Sequence, residues 1–291
     1  MEGEGLMVSV FGRRKSDNVV DNRRDKSSGL GGWTMAAGGG AAAVGAGALG
    51  WGLGGVEALL CAIALGPCPV PEERRVQLDE FASIILADTE EVWTEEFAER
   101  GETYTPATLV LLDSQQASLC GAILAGQGPA YCKHDETIYL DLSYLSERVP
   151  ETGAVGDFPA AFIIAHEVAH HVQNLTGEFD RKFIGRLDDP AVDVNRLSVR
   201  LELQADCYAG VWAKRADEKF QLLEPGDIQE AVATAQIFGD DAVQERGGQG
   251  AIVEAAFTHG SGAQRAAWFQ RGFASGERDD CDSWSPEFDA L

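Results

Sequence analysis

One segment leaves this chain little choice of fold: Phe162-Ile163-Ile164-Ala165-His166-Glu167-Val168-Ala169-His170-His171-Val172 is apolar on nearly every side yet carries three imidazoles and a carboxylate. Such a segment belongs in a core as a helix. Asp157 followed by Pro159 is a helix start, because Asp caps free N–H groups and Pro is tolerated in the first turn. Gly177 is a stop, so the expected helix runs from Asp157 to about Asn174. Buried imidazoles need a partner. His166 and His170 are separated by one helical turn, about 40° apart around the axis, so both reach one ion from the same face. Glu167 sits on the adjoining edge, placed to reach a water on that ion. His171 points roughly 100° away and is expected to be a supporting or surface residue.

A catalytic zinc takes three protein ligands and leaves a position for water. The third is sought on a second long helix, expected from about Val192 to Lys219, which carries Glu202-Leu203-Gln204-Ala205-Asp206. Its two carboxylates share a face, beside the apolar Leu201, Ala205 and Tyr208. The longer Glu202 is expected to bind the metal, and Asp206 to accept the N–H of a ligating histidine. His259, flanked by Gly260 and Gly262, competes for the third position and is otherwise an oxyanion donor. The chemistry these residues suit is peptide-bond hydrolysis by a zinc-activated water, with Glu167 as general base.

Around these helices the chain reads as a helix-rich α+β domain with one small antiparallel sheet. Glu72 to about Arg100 repeats Leu78, Phe81, Ile85, Val92 and Phe97 at near-helical steps. Ala107 to Leu112 and Thr137 to Leu142 read as strands. Further helices are expected over Pro225 to Phe238 and Ala263 to Ala274.

The net charge of −24 repels phosphate backbones and excludes nucleic acid as a partner. Residues 1–28 depart from that balance, holding Arg13, Arg14, Lys15, Arg23, Arg24 and Lys26, six of the 23 basic residues. A stretch of 30 residues without charge follows, from Ser27 through Val56, longer than the roughly 20 a bilayer span needs. It is rich in Gly and Ala, so a flexible linker is the alternative. The expected organisation is a basic cytoplasmic arm (1–28), a Gly/Ala-rich span (29–66) and a zinc domain (72–291). Basic residues ahead of the span predict a cytoplasmic N-terminus and a domain on the non-cytoplasmic side of the membrane. Cys61 and Cys68 fall in or near the span. Cys120, Cys132, Cys207 and Cys281 fall in the domain without a C-x-x-C pair, which suits disulfides better than a thiolate zinc site and agrees with export.

Taken in order, Gly12 to Val19 with Arg23-Arg24, Tyr131-Cys132, Tyr139 to Leu142, His166 to Gln173, Glu202 to Gly210, Thr258-His259-Gly260, Gln264-Arg265 and Trp268-Phe269 resemble the neutral zinc metallopeptidases of bacteria, membrane-anchored proteins with an H-E-x-x-H helix. The resemblance implies one zinc held by the two histidines and a glutamate, and a proteolytic domain acting on protein or peptide substrates. The four domain cysteines allow three pairings. Proximity and the resemblance together favour Cys120 with Cys132 and Cys207 with Cys281. Two other readings stay open at this stage: a metal-binding membrane scaffold without hydrolysis, and a hydrolase of non-peptide amides in the cell wall.

Overall fold

The apolar stripe foreseen on the first long helix, α1 (Glu72–Glu99), is buried along its length, from Leu78 and Phe81 through Ile85 and Val92 to Phe97. The structure, a computed structural model, describes residues 10, 12–23, 72–126, 128–154, 156–248 and 250–291. The expected span and Cys61 and Cys68 lie outside the described residues. Among the described residues no helix is long and apolar enough to cross a membrane.

Six strands follow the chain: β1 (Val19–Asp21), β2 (Thr108–Leu111), β3 (Gln116–Ser118), β4 (Gly121–Ile123), β5 (Ala130–Cys132) and β6 (Thr137–Leu140). Four of them form one sheet in the order β1-β2-β6-β5, while β3 and β4 form a hairpin of their own. The expected antiparallel sheet is corrected here. β2 pairs parallel with β1 and with β6, and only β5 runs antiparallel to its neighbour β6. A parallel pair needs a long crossover, and residues 112–136 supply it through the β3–β4 hairpin and β5. The disulfide Cys120–Cys132 fastens that hairpin to β5.

The N-terminal arm belongs to this same body. β1 aligns Val19, Val20 and Asp21 with Leu109, Val110 and Leu111. Arg13 reaches Asp88 at 2.6 Å, Arg14 reaches Glu90 at 2.8 Å, and Arg23 reaches Asp79 at 2.7 Å, all on α1. Ser16 and Asn18 both donate to the Glu90 carboxylate. The basic residues thus neutralise the acidic face of α1. That packing joins residues 12–23 to β2 and α1 in one body.

Further helices complete the core. α2 (Phe158–Leu175) carries the H-E-x-x-H motif, and α3 (Val194–Phe220) carries Glu202 and Asp206. Then come α4 (Asp227–Ile237), α5 (Asp240–Arg246) and α6 (Gly262–Ser275). Asp157 stands at the N-cap of α2 without a side-chain capping bond. The carboxylate of Glu230, from α4, accepts the backbone N–H groups of Phe158 and Asp157 instead. Gly156 allows that approach, since a Cβ there would lie 1.8 Å from a Glu230 oxygen. α3 and α6 touch backbone to backbone. A Cβ on Gly210 would stand 2.1 Å from the Phe269 carbonyl, and one on Gly272 1.9 Å from the Cys207 carbonyl. This closeness carries Arg265, two turns before Gly272, onto the buried face of α3.

Candidate metal centre

One atom each from His166, His170 and Glu202 form a group within 4.8 Å of one another. The Nε2 atom of His166 is 3.0 Å from Glu202 Oε2, and that of His170 is 3.5 Å from Glu202 Oε1. The two imidazoles stand at 89° to each other with centroids 4.8 Å apart, so their inward nitrogens converge on one point. A tetrahedral zinc with bonds near 2.1 Å sets its ligand atoms roughly 3.4 Å apart. The donor set therefore fits zinc, and two nitrogens with one carboxylate is a set that catalytic zinc uses.

The outward nitrogens are also held. His166 Nδ1 lies 2.9 Å from Asp206 Oδ1, the partnership foreseen for Asp206. Arg265 in turn donates to both oxygens of Asp206, at 2.8 and 2.9 Å. His170 Nδ1 lies 2.9 Å from Gln173 Oε1. Burial by itself would drive His166 to its neutral form, but the charge and hydrogen bond of Asp206, then of Glu202, outweigh it and raise the imidazole to about 10. Against the same burial, His170 and His166 hold the Glu202 carboxylate well below its ordinary range, and Arg265 and then His166 depress Asp206. Each of the four groups, His166, His170, Glu202 and Asp206, is thus shifted toward its charged form by its neighbours.

The group opens onto a cleft of about 580 Å³. Glu167, half-buried, lines it, as do His259 and Arg265. His259 lies outside the close group of three. Its side chain is 50% exposed, and its Nδ1 is 3.2 Å from Asp240 Oδ1. Asp240 fixes the whole loop, because its other oxygen accepts the backbone N–H groups of Thr258, His259 and Gly260. The bond to Asp240 outweighs burial and raises His259 above the ordinary imidazole range.

Of the two places expected for His171, supporting or surface, the structure shows the first: it is off the metal group and fully buried. Its Nδ1 bonds the Tyr131 hydroxyl at 2.9 Å and its Nε2 donates to the Thr105 carbonyl, pinning α2 to β5 and to the loop before β2. Burial lowers its pKa, consistent with a neutral structural imidazole. Sequence reasoning gave no role to Asp240, Arg265, Gln173 or Tyr144. Asp240-Asp241 after Gly239 is a helix-start signature that would have marked α5. Tyr144 lines the cleft, and burial and then the charge of Glu167 raise its hydroxyl.

A histidine pair and an intervening glutamate on one helix, with a carboxylate from the next helix and an open cleft, define the class: an H-E-x-x-H centre of the kind zinc hydrolases use. The chain belongs to the family described as "Putative neutral zinc metallopeptidase", which it matches over residues 9–284. It is 39% identical over 284 residues to the Escherichia coli K12 protein named "Uncharacterized protein YpfJ", covering 94% of this chain and 97% of that one. It is 38% identical over 192 residues to "Uncharacterized protein Rv2575" of Mycobacterium tuberculosis H37Rv, covering 62% of this chain and 64% of the relative. No solved structure matches it.

Proposed function

We propose that the protein is a zinc endopeptidase in which His166, His170 and Glu202 hold one zinc and Glu167 is the general base. The observation that carries this reading is the convergence of those three side chains on one point of a cleft that Glu167 also lines. Zinc, when bound, polarises the scissile carbonyl and lowers the pKa of a water to about 7. Glu167 takes the proton of the attacking water as its oxygen bonds the carbonyl carbon, then delivers it to the amine as the C–N bond breaks. His259, held by Asp240, donates a hydrogen bond to the oxygen on which negative charge develops.

Substrate orientation comes from β5. Among the described residues it is an edge strand, and Ala130 and Tyr131 line the cleft. Its free main-chain groups suit an extended peptide laid alongside. Phe179, Phe183 and Leu201 line the cleft too and suit a bulky apolar side chain. The two disulfides support an oxidising compartment for the domain.

The test is hydrolysis of casein and of a peptide library by the purified full chain, with chelator and with zinc restored, set against Glu167→Gln. Chelator-sensitive cleavage that disappears in the variant is expected. Cleavage unaffected by chelator, or cleavage only of cell-wall amides, would overturn the reading.

A further inference from the structure

The two histidines of the metal centre are supported by different chemistry. Behind His166 stands the Asp206–Arg265 ion pair; behind His170 stands a line of neutral amides that leads away from the cleft to the C-terminal tail. Gln173 Nε2 donates to the Leu201 carbonyl at 2.7 Å and to Gln204 Oε1 at 3.0 Å. Gln204 Nε2 donates to the Cys281 carbonyl at 3.2 Å, and Trp284 Nε1 donates to Gln204 Oε1 at 3.3 Å. Both amides are buried, Gln173 completely.

The polarity of this line is fixed at its ends. An indole N–H only donates and a main-chain carbonyl only accepts. Trp284 and Cys281 therefore orient Gln204 with its oxygen toward Gln173. Gln204 and the Leu201 carbonyl then orient Gln173 with its nitrogen toward them and its oxygen toward His170. A flipped Gln173 would set oxygen against two oxygens in a fully buried position. His170 Nδ1 consequently faces an acceptor and must carry hydrogen, so in the neutral ring Nε2 is the nitrogen left to bind the metal.

We infer that Gln173 and Gln204 are positioning residues for His170, and that Trp284 and Cys281 in the tail select the metal-binding tautomer of that histidine through them. The inference rests on the reading of His170 as a zinc ligand. Loss of any link releases the next amide to rotate, so the effect of Trp284 on the metal passes through Gln173. The disulfide Cys207–Cys281 keeps the last acceptor of the line against α3.

Zinc competition titrations on the full chain, as wild type, Gln173→Met, Trp284→Phe and the double variant, test this. Gln173→Met keeps the length of the side chain and removes its polarity; it is expected to weaken zinc by about 10–100-fold, the usual effect of losing a ligand's outer partner. Trp284→Phe keeps the ring and removes only the N–H, and a loss of roughly 3–10-fold is expected on the same grounds. The double variant should match Gln173→Met alone, because one line is cut once. Losses that multiply instead would overturn the role of the tail, and wild-type affinity in Gln173→Met would overturn the role of the amides. A reading independent of metal comes from ¹⁵N NMR of the metal-free chain at a pH where His170 is neutral. The Nδ1–H tautomer is expected in wild type and a shift toward Nε2–H in both variants. Nε2–H in wild type would sink the inference, whatever zinc does. If wild type and His166→Ala bind zinc alike, the metal assignment fails while the tautomer still decides the amide line.

Discussion

Two groups of three candidate ligands flank the same helix, and they are built to opposite ends. His166, His170 and Glu202 gather midway along α2; Asp157, Asp227 and Glu230 gather at its start, equally close to one another. In the first group, cations and anions alternate and the outward nitrogen of each histidine has an acceptor. In the second, only carboxylates meet. Burial, then like charge from Asp157, Glu230 and Glu224, raises Asp227 to about 6 despite the N–H of Glu224, and burial raises Glu230. Such a group attracts protons, and Glu230 already serves as the cap of α2. Proximity of ligand atoms is thus a weak guide to a metal centre. What the surroundings do to the protons on those atoms is a better one.

The comparison breaks most sharply if Glu202→Ala retains tight zinc. Its loss is expected to abolish stoichiometric binding in a chelator competition, whereas Asp227→Ala should leave affinity unchanged. Next in size, Glu167→Gln is expected to keep zinc and lower turnover by about 10²–10⁴-fold, since the amide has the shape of the base without its basicity. Steady-state rates paired with metal analysis separate the two effects, and turnover equal to wild type would remove Glu167 from the reaction.

Smaller effects sharpen the contrast. His259→Ala should leave zinc in place and slow turnover by roughly 10²–10³-fold, the loss typical of one oxyanion donor; zinc lost in that variant would make His259 a ligand. Asp206→Ala should weaken zinc about 10–100-fold, and an affinity equal to wild type would empty the Asp206–His166 bond of its purpose. Smallest of all is Asp227→Asn, in which the amide oxygen keeps the bond from the Glu224 N–H. The folded-state pKa of Asp227 lies above its ordinary 3.8, so its protonated form stabilises the fold below that value, and this contribution is lost as pH rises through about 6. Asn does not titrate. Its advantage over wild type should therefore grow between pH 4 and 7, by about 2–4 °C in Tm, then level off, and melting curves across that range decide it.

The metal group was legible because every signal for it is local or periodic. His166 and His170 share a face by spacing alone, and the apolar residues around them require burial. Asp206 was legible as a partner for a histidine for the same reason. Arg265 was not, since nothing between residues 206 and 265 encodes their meeting; the close crossing of α3 and α6 at Gly210 and Gly272 brings it about. The sheet misled in direction. Thr108–Leu111 and Thr137–Leu140 look the same read either way, and their parallel pairing depends on β5 and the hairpin threaded between them. β1 stayed hidden because three residues carry no measurable period, and the basic residues around it read as a membrane-flanking arm. His171 shows the limit of angular reasoning: its direction away from the metal was right, but β5 covers the face it points to.

The tail that follows Cys281 clasps α3 at three levels. Cys281 is bonded to Cys207, Trp284 reaches Gln204, and Ser283 and Arg200 exchange two hydrogen bonds. Ribosomes add about 5–20 residues per second, so the 74 residues that separate Cys207 from Cys281 impose a wait of roughly 4–15 s between the making of the ligand helix and the arrival of its clasp. During that interval all three ligands exist on a chain whose amides are not yet oriented. A chain that ends before Cys281 is therefore expected to hold all three ligands yet grip zinc about 10–100-fold more weakly, the effect of leaving Gln173 unoriented.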